Sequence, residues 1–166
     1  MAIFENLGQK FVHTAQKYPD NTAIITSEEK VITYRQLHNR ALEYSHFLKS
    51  RNIKNCDVIG ILNDKDSDTY ALMLAALLMG VVYVNLDPKA PKERQKKILA
   101  ASKAVMVFGS SGTLKENIWI NKEFKGDVFN LNIECQLKHT KNISKALPRP
   151  EHPILSTDPA YLMFTS

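Results

Sequence analysis

Leu77-Leu78-Met79-Gly80-Val81-Val82-Tyr83-Val84-Asn85-Leu86-Asp87-Pro88 changes character at its glycine, and that change decides the fold. Upstream, the run from Tyr70 to Met79 is built mainly from leucine, alanine and methionine, which favour helix. Downstream, Val81 to Val84 is β-branched and aromatic, which favours strand. Gly80 is suited to the left-handed turn that ends a helix. No charge falls between Asp68 and Asp87, and a membrane-spanning helix needs about 20 predominantly apolar residues. Because Gly80 divides the run, a buried helix followed by a buried strand accounts for it better than a membrane span.

The same alternation extends outward. The pattern predicts a strand Val58–Leu62, a helix from about Ser67 to Met79, a strand Val81–Leu86, a helix from about Pro91 to Ala101 and a strand Ala104–Phe108. Strands apolar on both faces and joined by helices imply a parallel sheet. Upstream, Phe4, Leu7, Phe11, Ala15 and Tyr18 recur at helical spacing until Pro19. Ala23–Thr26 and Val31–Thr33, separated by a polar turn, read as a hairpin. Its second strand passes directly into a helix: Thr33 and Gln36 have capping-box spacing, Ile32 and Leu37 can form the hydrophobic staple, and Leu37, Ala41, Tyr44 and Leu48 carry the buried face.

The fold class is therefore α/β, a mostly parallel sheet flanked by helices with an N-terminal β-hairpin. Residues 1–147 form the α/β portion, with a further strand over Asp127–Leu131 and a polar, weakly patterned stretch over Leu137–Ala146. Pro148, Pro150 and Pro153 mark residues 148–166 as an extended linker, closed by the short apolar strand Ala160-Tyr161-Leu162-Met163-Phe164.

With 166 residues, 44% of them hydrophobic, the chain is long enough for one domain with a true core. The net charge of +5 comes from scattered residues. The one basic cluster, Lys92, Arg94, Lys96 and Lys97, sits on a helix-like run and reads as a solvated face, so neither a nucleic acid nor a membrane is expected as partner. Two cysteines, Cys56 and Cys135, and a start lacking the basic and apolar regions of a signal peptide point to a reducing, cytoplasmic setting.

Few residues recommend themselves as a self-contained site. Gly109-Ser110-Ser111-Gly112-Thr113-Leu114-Lys115 imitates a phosphate loop at the end of a strand, but its spacing fits neither the Walker loop nor the dinucleotide fingerprint, so a flexible connector is expected. His13, His38 and His46 fall on helices without partners at metal-ligand spacing. Asp64, Asp66 and Asp68 lack the glycine and distal glutamate of a calcium loop, and Asp66 or Ser67 suits a helix N-cap. Neither cysteine has a catalytic flank, and Asp87 before Pro88 is expected to order the turn into the next helix.

Three motifs in order remain: Ile32-Thr33-Tyr34-Arg35-Gln36-Leu37; the opening stretch with Pro91-Lys92-Glu93-Arg94 beyond it; and Ala160-Tyr161-Leu162-Met163-Phe164-Thr165-Ser166. Together they resemble the start of an adenylate-forming enzyme of the AMP-binding superfamily, in which they read L-T-Y-x-E-L, L-K-A-G-x-A-Y-V-P-L-D-P and L-A-Y-x-x-Y-T-S-G-S-T-G-x-P-K-G. The resemblance covers nearly the whole chain and implies part of the N-terminal subdomain of that fold. Tyr83-Val84-x-Leu86-Asp87-Pro88 is most similar to amino-acid adenylation domains of the nonribosomal peptide synthetase type. Asn85 stands where that pattern usually has proline, and Cys56 where glycine is usual.

The resemblance implies an ATP-dependent ligase that binds Mg-ATP, lets a carboxylate attack the α-phosphorus, releases pyrophosphate and passes the acyl group to a thiol. Such catalysis is mainly positioning and charge neutralisation. Of the family's phosphate loop this chain offers only Thr165 and Ser166, the two cofactor-binding candidates. No catalytic or metal-binding residue is assigned, and no cofactor is expected to be held by these residues alone. The expected partners are the remainder of the adenylation enzyme and, for the full-length protein, a carrier protein. A non-catalytic interaction module on the same scaffold and a piece of an acyl-CoA ligase are the alternatives. Apolar surface left without the rest of the enzyme is expected to make the chain self-associate.

Overall fold

The computed structural model describes residues 6–27, 29–131 and 146–164. In chain order the elements are α1 (Leu7–Lys17), β1 (Thr22–Ile25), β2 (Val31–Thr33), α2 (Tyr34–Ser50), β3 (Val58–Leu62), α3 (Ser67–Met79), β4 (Val82–Leu86), α4 (Lys92–Ser102), β5 (Met106–Gly109), α5 (Ser111–Glu116), α6 (Trp119–Glu123), β6 (Asp127–Asn130) and β7 (Tyr161–Leu162). β1 and β2 form the antiparallel hairpin. The other five strands form one parallel sheet in the order β6-β5-β3-β4-β7.

The boundaries follow local chemistry. Asn6 caps α1 by accepting the Gln9 N–H at 3.0 Å. Phe4, expected on that helix, lies outside the described residues. The capping box at α2 is complete: Thr33 Oγ1 accepts the Gln36 N–H at 3.2 Å, and Gln36 Oε1 accepts the Thr33 N–H at 2.9 Å. Asp66 caps α3 by accepting the Thr69 N–H at 2.7 Å, and Gly80 ends it in the left-handed region at φ 67°. The expected Val81–Leu86 and Ala104–Phe108 strands start one and two residues later, at Val82 and Met106. Among the described residues no helix is long and apolar enough to cross a membrane.

Side chains alternate across β3 and divide the interior in two. Ile59 and Ile61 enter a core shared with Tyr44, Phe47, Leu72, Ala76, Phe108 and Phe129 beneath α2 and α3. Leu62 enters a second core with Val84, Leu86, Ile98, Leu99 and Trp119 beneath α4, α5 and α6. Gly60 also points to this second face, where a Cβ would stand 2.9 Å from Leu99 Cδ2. The sheet is thus covered on both faces, as parallel sheets require.

One expectation is corrected here. Residues 109–115 are not a flexible connector: Ser110 caps α5 by accepting the Thr113 N–H at 3.2 Å, and Thr113 and Leu114 are buried. The hydroxyl at the cap and the single apolar Leu114 suffice to fix so short a helix against the second core.

Candidate functional site

The carboxyl ends of parallel strands are where ligands bind in open α/β sheets, at the crevice outside the sheet. Here β7 is an edge strand, paired with β4 so that Tyr161 lies opposite Tyr83 and Leu162 opposite Val84. The two tyrosine rings stack with centroids 5.8 Å apart, and burial, helped by Tyr161, raises the Tyr83 phenol above its ordinary value. From β7 the backbone passes through Met163 and Phe164 toward Thr165 and Ser166, the two candidate phosphate-loop residues, which lie outside the described residues.

Beside this exit is a groove of about 300 Å³ lined by Tyr83, Asn85, Asp87, Arg94, Ile98 and Phe164, among others. Its far wall is the Asp87–Pro88 turn. Asp87 Oδ1 accepts the Lys89 N–H at 2.9 Å and its carbonyl accepts the Ala90 N–H at 3.0 Å, so Asp87 orders the turn as its position before proline predicts. Asn85 projects at the same edge, its Oδ1 accepting from Asn63 Nδ2 at 3.3 Å. Proline at that position would lack this amide-to-amide link.

The turn is fastened from beneath by three residues that the motifs do not reveal. Gln95 has no exposed surface. Its amide nitrogen shares its two N–H groups among the carbonyls of Asp87 (2.9 Å), Ala90 (3.2 Å) and Pro88 (3.3 Å) and Asn117 Oδ1 (3.0 Å). Its Oε1 accepts the indole N–H of Trp119 at 3.1 Å. Asn117 Nδ2 donates to the same Pro88 carbonyl at 3.1 Å and to the Thr113 carbonyl at 3.0 Å. The available signal was position: Gln95 falls three and four residues before Ile98 and Leu99, on the buried stripe of α4, where a polar side chain persists only with partners.

A triphosphate calls for converging backbone N–H groups, commonly freed by glycine, together with cations. Of the residues lining the groove, one is a cation, Arg94, and none is glycine.

The remaining candidates are placed elsewhere and are not brought together. His13 lies on α1, and His38 and His46 on α2; burial holds His38 below its ordinary imidazole value. Asp68 accepts from Tyr44 Oη at 2.9 Å and pairs with Arg40, tying α2 to α3. Among the described residues no group of three His, Cys, Asp or Glu side chains could hold a metal ion. Cys56 is exposed, adopts φ 66° and donates its N–H to the Gly80 carbonyl at 2.7 Å. That left-handed backbone gives a physical reason for a glycine preference at this position. Cys135 lies outside the described residues.

Comparison with known proteins agrees in sequence and in fold. The pattern of the AMP-binding enzyme family matches residues 11–166. Bacitracin synthase 3 of Bacillus licheniformis is 30% identical over 159 residues, 95% of this chain and 2% of that protein. The L-proline--[L-prolyl-carrier protein] ligase of Pseudomonas fluorescens is 34% identical over 110 residues, 66% of this chain and 22% of that protein. The NpsA N-terminal subdomain of Klebsiella oxytoca, solved with 3-hydroxybenzoyl-AMSN, superposes with a TM-score of 0.80 at 21% identity, covering 98% of this chain and 38% of that one. The chain thus spans a small part of the length of these relatives.

Proposed function

We propose, on the premise that this chain belongs to the AMP-binding enzyme family, that it is the amino-terminal piece of an ATP-dependent amino-acid adenylating ligase and does not catalyse adenylation as an isolated chain. The observation that carries this is the course of β7, paired to β4 at the edge of the sheet with Met163 and Phe164 following it beside the groove. The groove beside it lacks the glycines and converging cations that a triphosphate needs. Within the complete enzyme this piece is the wall against which a phosphate loop is laid, with Mg-ATP as substrate. The relative whose name specifies a carrier protein supports a carrier-bound thiol as the acyl acceptor.

Calorimetric titration of Mg-ATP into the 166-residue chain tests the first part, with no saturable heat expected; saturable binding would give these residues a nucleotide site of their own. Amino-acid-dependent exchange between ATP and pyrophosphate, in a polypeptide continuing beyond Ser166, tests the second. Exchange driven by fatty acids with coenzyme A, and not by amino acids, would transfer the chain to the acyl-CoA ligases.

Self-association of the isolated chain belongs to the same proposal. Ile25 (68%), Val31 (54%) and Met163 (80%) expose much of their surface, and an apolar groove of about 860 Å³ runs between the hairpin and α3. Sedimentation across a wide concentration range should show dimers or larger species, and a monodisperse monomer throughout would refute this.

A further inference from the structure

The positive charge of the chain is not spread evenly over its two faces. Residues 89–125, which contain α4, α5 and α6, hold nine lysines and arginines against three glutamates, an excess larger than the +5 of the whole chain. Two of the lysines, Lys92 and Lys96, are engaged by Glu123. Lys103 and Lys125 have no carboxylate within ion-pair distance among the described residues. Between them lies a recess of about 520 Å³ whose floor is Leu99, Ala100, Trp119 and Phe124. The recess therefore combines an apolar floor with a cationic rim.

We propose that this recess between α4 and α6 is a docking surface for an acidic, amphipathic peptide segment of a partner protein. Charge complementarity selects the occupant's sign, since a basic cleft with low-dielectric walls concentrates anionic partners. The floor selects its amphipathic character, because apolar side chains entering the recess leave water while carboxylates remain at the lysine rim. A nucleic acid fits less well: Trp119 is 9% exposed with Lys96 over its ring, so it offers no free face for base stacking. An anionic membrane would call for protruding apolar side chains, whereas these are recessed.

The test is fluorescence anisotropy with the 166-residue chain and a labelled synthetic helix bearing glutamates on one face and leucines on the other. Saturable binding is expected, weakening at least about tenfold as salt rises to about 0.3 M. The double variant Lys103→Glu/Lys125→Glu should weaken it by about tenfold or more, while Lys10→Glu/Lys49→Glu on the opposite face should leave it within about twofold. Lys125→Glu alone gives the same test with a smaller shift should the double variant fold poorly. No binding, or equal binding of a glutamate-serine peptide lacking leucines, would overturn the proposal. So would equal loss in the opposite-face variant, or tighter binding of single-stranded DNA or anionic vesicles than of the peptide.

Discussion

The two faces of the parallel sheet are held by different chemistry. Beneath α2 and α3 the interior is almost wholly apolar: Phe47, Phe108 and Phe129 meet edge-to-face or stacked at 5.0–6.1 Å, and Ile59, Ile61, Leu72 and Ala76 are fully buried. Beneath α4, α5 and α6 a smaller apolar core shares its space with the Gln95–Asn117–Trp119 network, which fastens the Asp87–Pro88 turn. Non-directional burial tolerates imprecise placement, whereas hydrogen bonds to specific carbonyls impose one geometry. The first face stabilises the sheet; the second fixes a loop at its carboxyl edge.

The largest effect should come from the apolar face. Phe108→Ala removes a fully buried ring from the aromatic cluster and should cost about 3–5 kcal/mol, measured by urea unfolding. A loss below about 1 kcal/mol would mean that the cluster repacks and that this face does not dominate stability. The corresponding change on the other face is Gln95→Leu. It strips the partner from the Ala90 carbonyl, Asn117 Oδ1 and the Trp119 indole N–H, while the Asp87 and Pro88 carbonyls keep the Ala90 N–H and Asn117 Nδ2. Leaving buried polar groups unpaired should cost about 2–3 kcal/mol. Trp119 is the only tryptophan, so its emission should shift with the loss of its acceptor. An unchanged spectrum with a cost below about 0.5 kcal/mol would show that the turn stands without the glutamine.

The two faces were not equally legible in the sequence. Residues 70–84 declare a helix, its glycine cap and the next strand, because α3 and β4 are buried largely by ordinary apolar patterning and no polar side chain falls between Ala71 and Val82. The capping box of Thr33 and Gln36 was legible because both partners lie within one turn. Gln95 and Asn117 were not, since their partners are backbone carbonyls and an amide brought together by the tertiary fold. α6 was missed for a related reason. A five-residue helix carries little periodicity, and Trp119 and Ile120 alone do not distinguish it from a loop. At the candidate site the short terminal strand was legible from Tyr161 and Leu162, but its edge position and the groove wall were not, because they depend on pairing with β4 and on α4 and the turn before it.

A smaller effect tests the corner that joins β3 to the end of α3. Gly80 and Cys56 both occupy the left-handed region, at φ 67° and φ 66°, and are linked by the bond from Cys56 N–H to the Gly80 carbonyl. Only one of them is glycine. A side chain in this conformation costs roughly 1 kcal/mol, so Cys56→Gly should stabilise the chain by up to about that amount, partly offset by the greater freedom of the unfolded glycine. Gly80→Ala should destabilise, since its Cβ would stand 2.8 Å from Asn55 Nδ2 as well as straining the backbone. If Cys56→Gly destabilises instead, the cysteine side chain contributes packing that outweighs the strain.

The smallest effects are electrostatic, and they separate the faces by pH. On the α2 face, His38 lies near the Phe11 ring, 6.2 Å between centroids, and burial holds it below its ordinary value of 6.5. The folded chain therefore keeps His38 neutral at pH values where the unfolded chain has already taken up the proton. Its contribution is full above about pH 6.5 and declines as pH falls below that, until folded His38 itself protonates. On the α4 face, hydrogen bonds from Lys92 and Lys96 hold the exposed carboxyl of Glu123 at about 2 rather than its ordinary 4.5. That contribution is present above pH 4.5 and is lost as pH falls toward 2, and solvent screening keeps it small. Urea midpoints followed across pH should thus show an upper limb that His38→Gln flattens and a lower limb that Glu123→Gln flattens. The Glu123 limb alone should shrink in high salt, because the His38 shift arises from burial and not from a charged partner. An upper limb that survives His38→Gln would place its origin outside the α2 face.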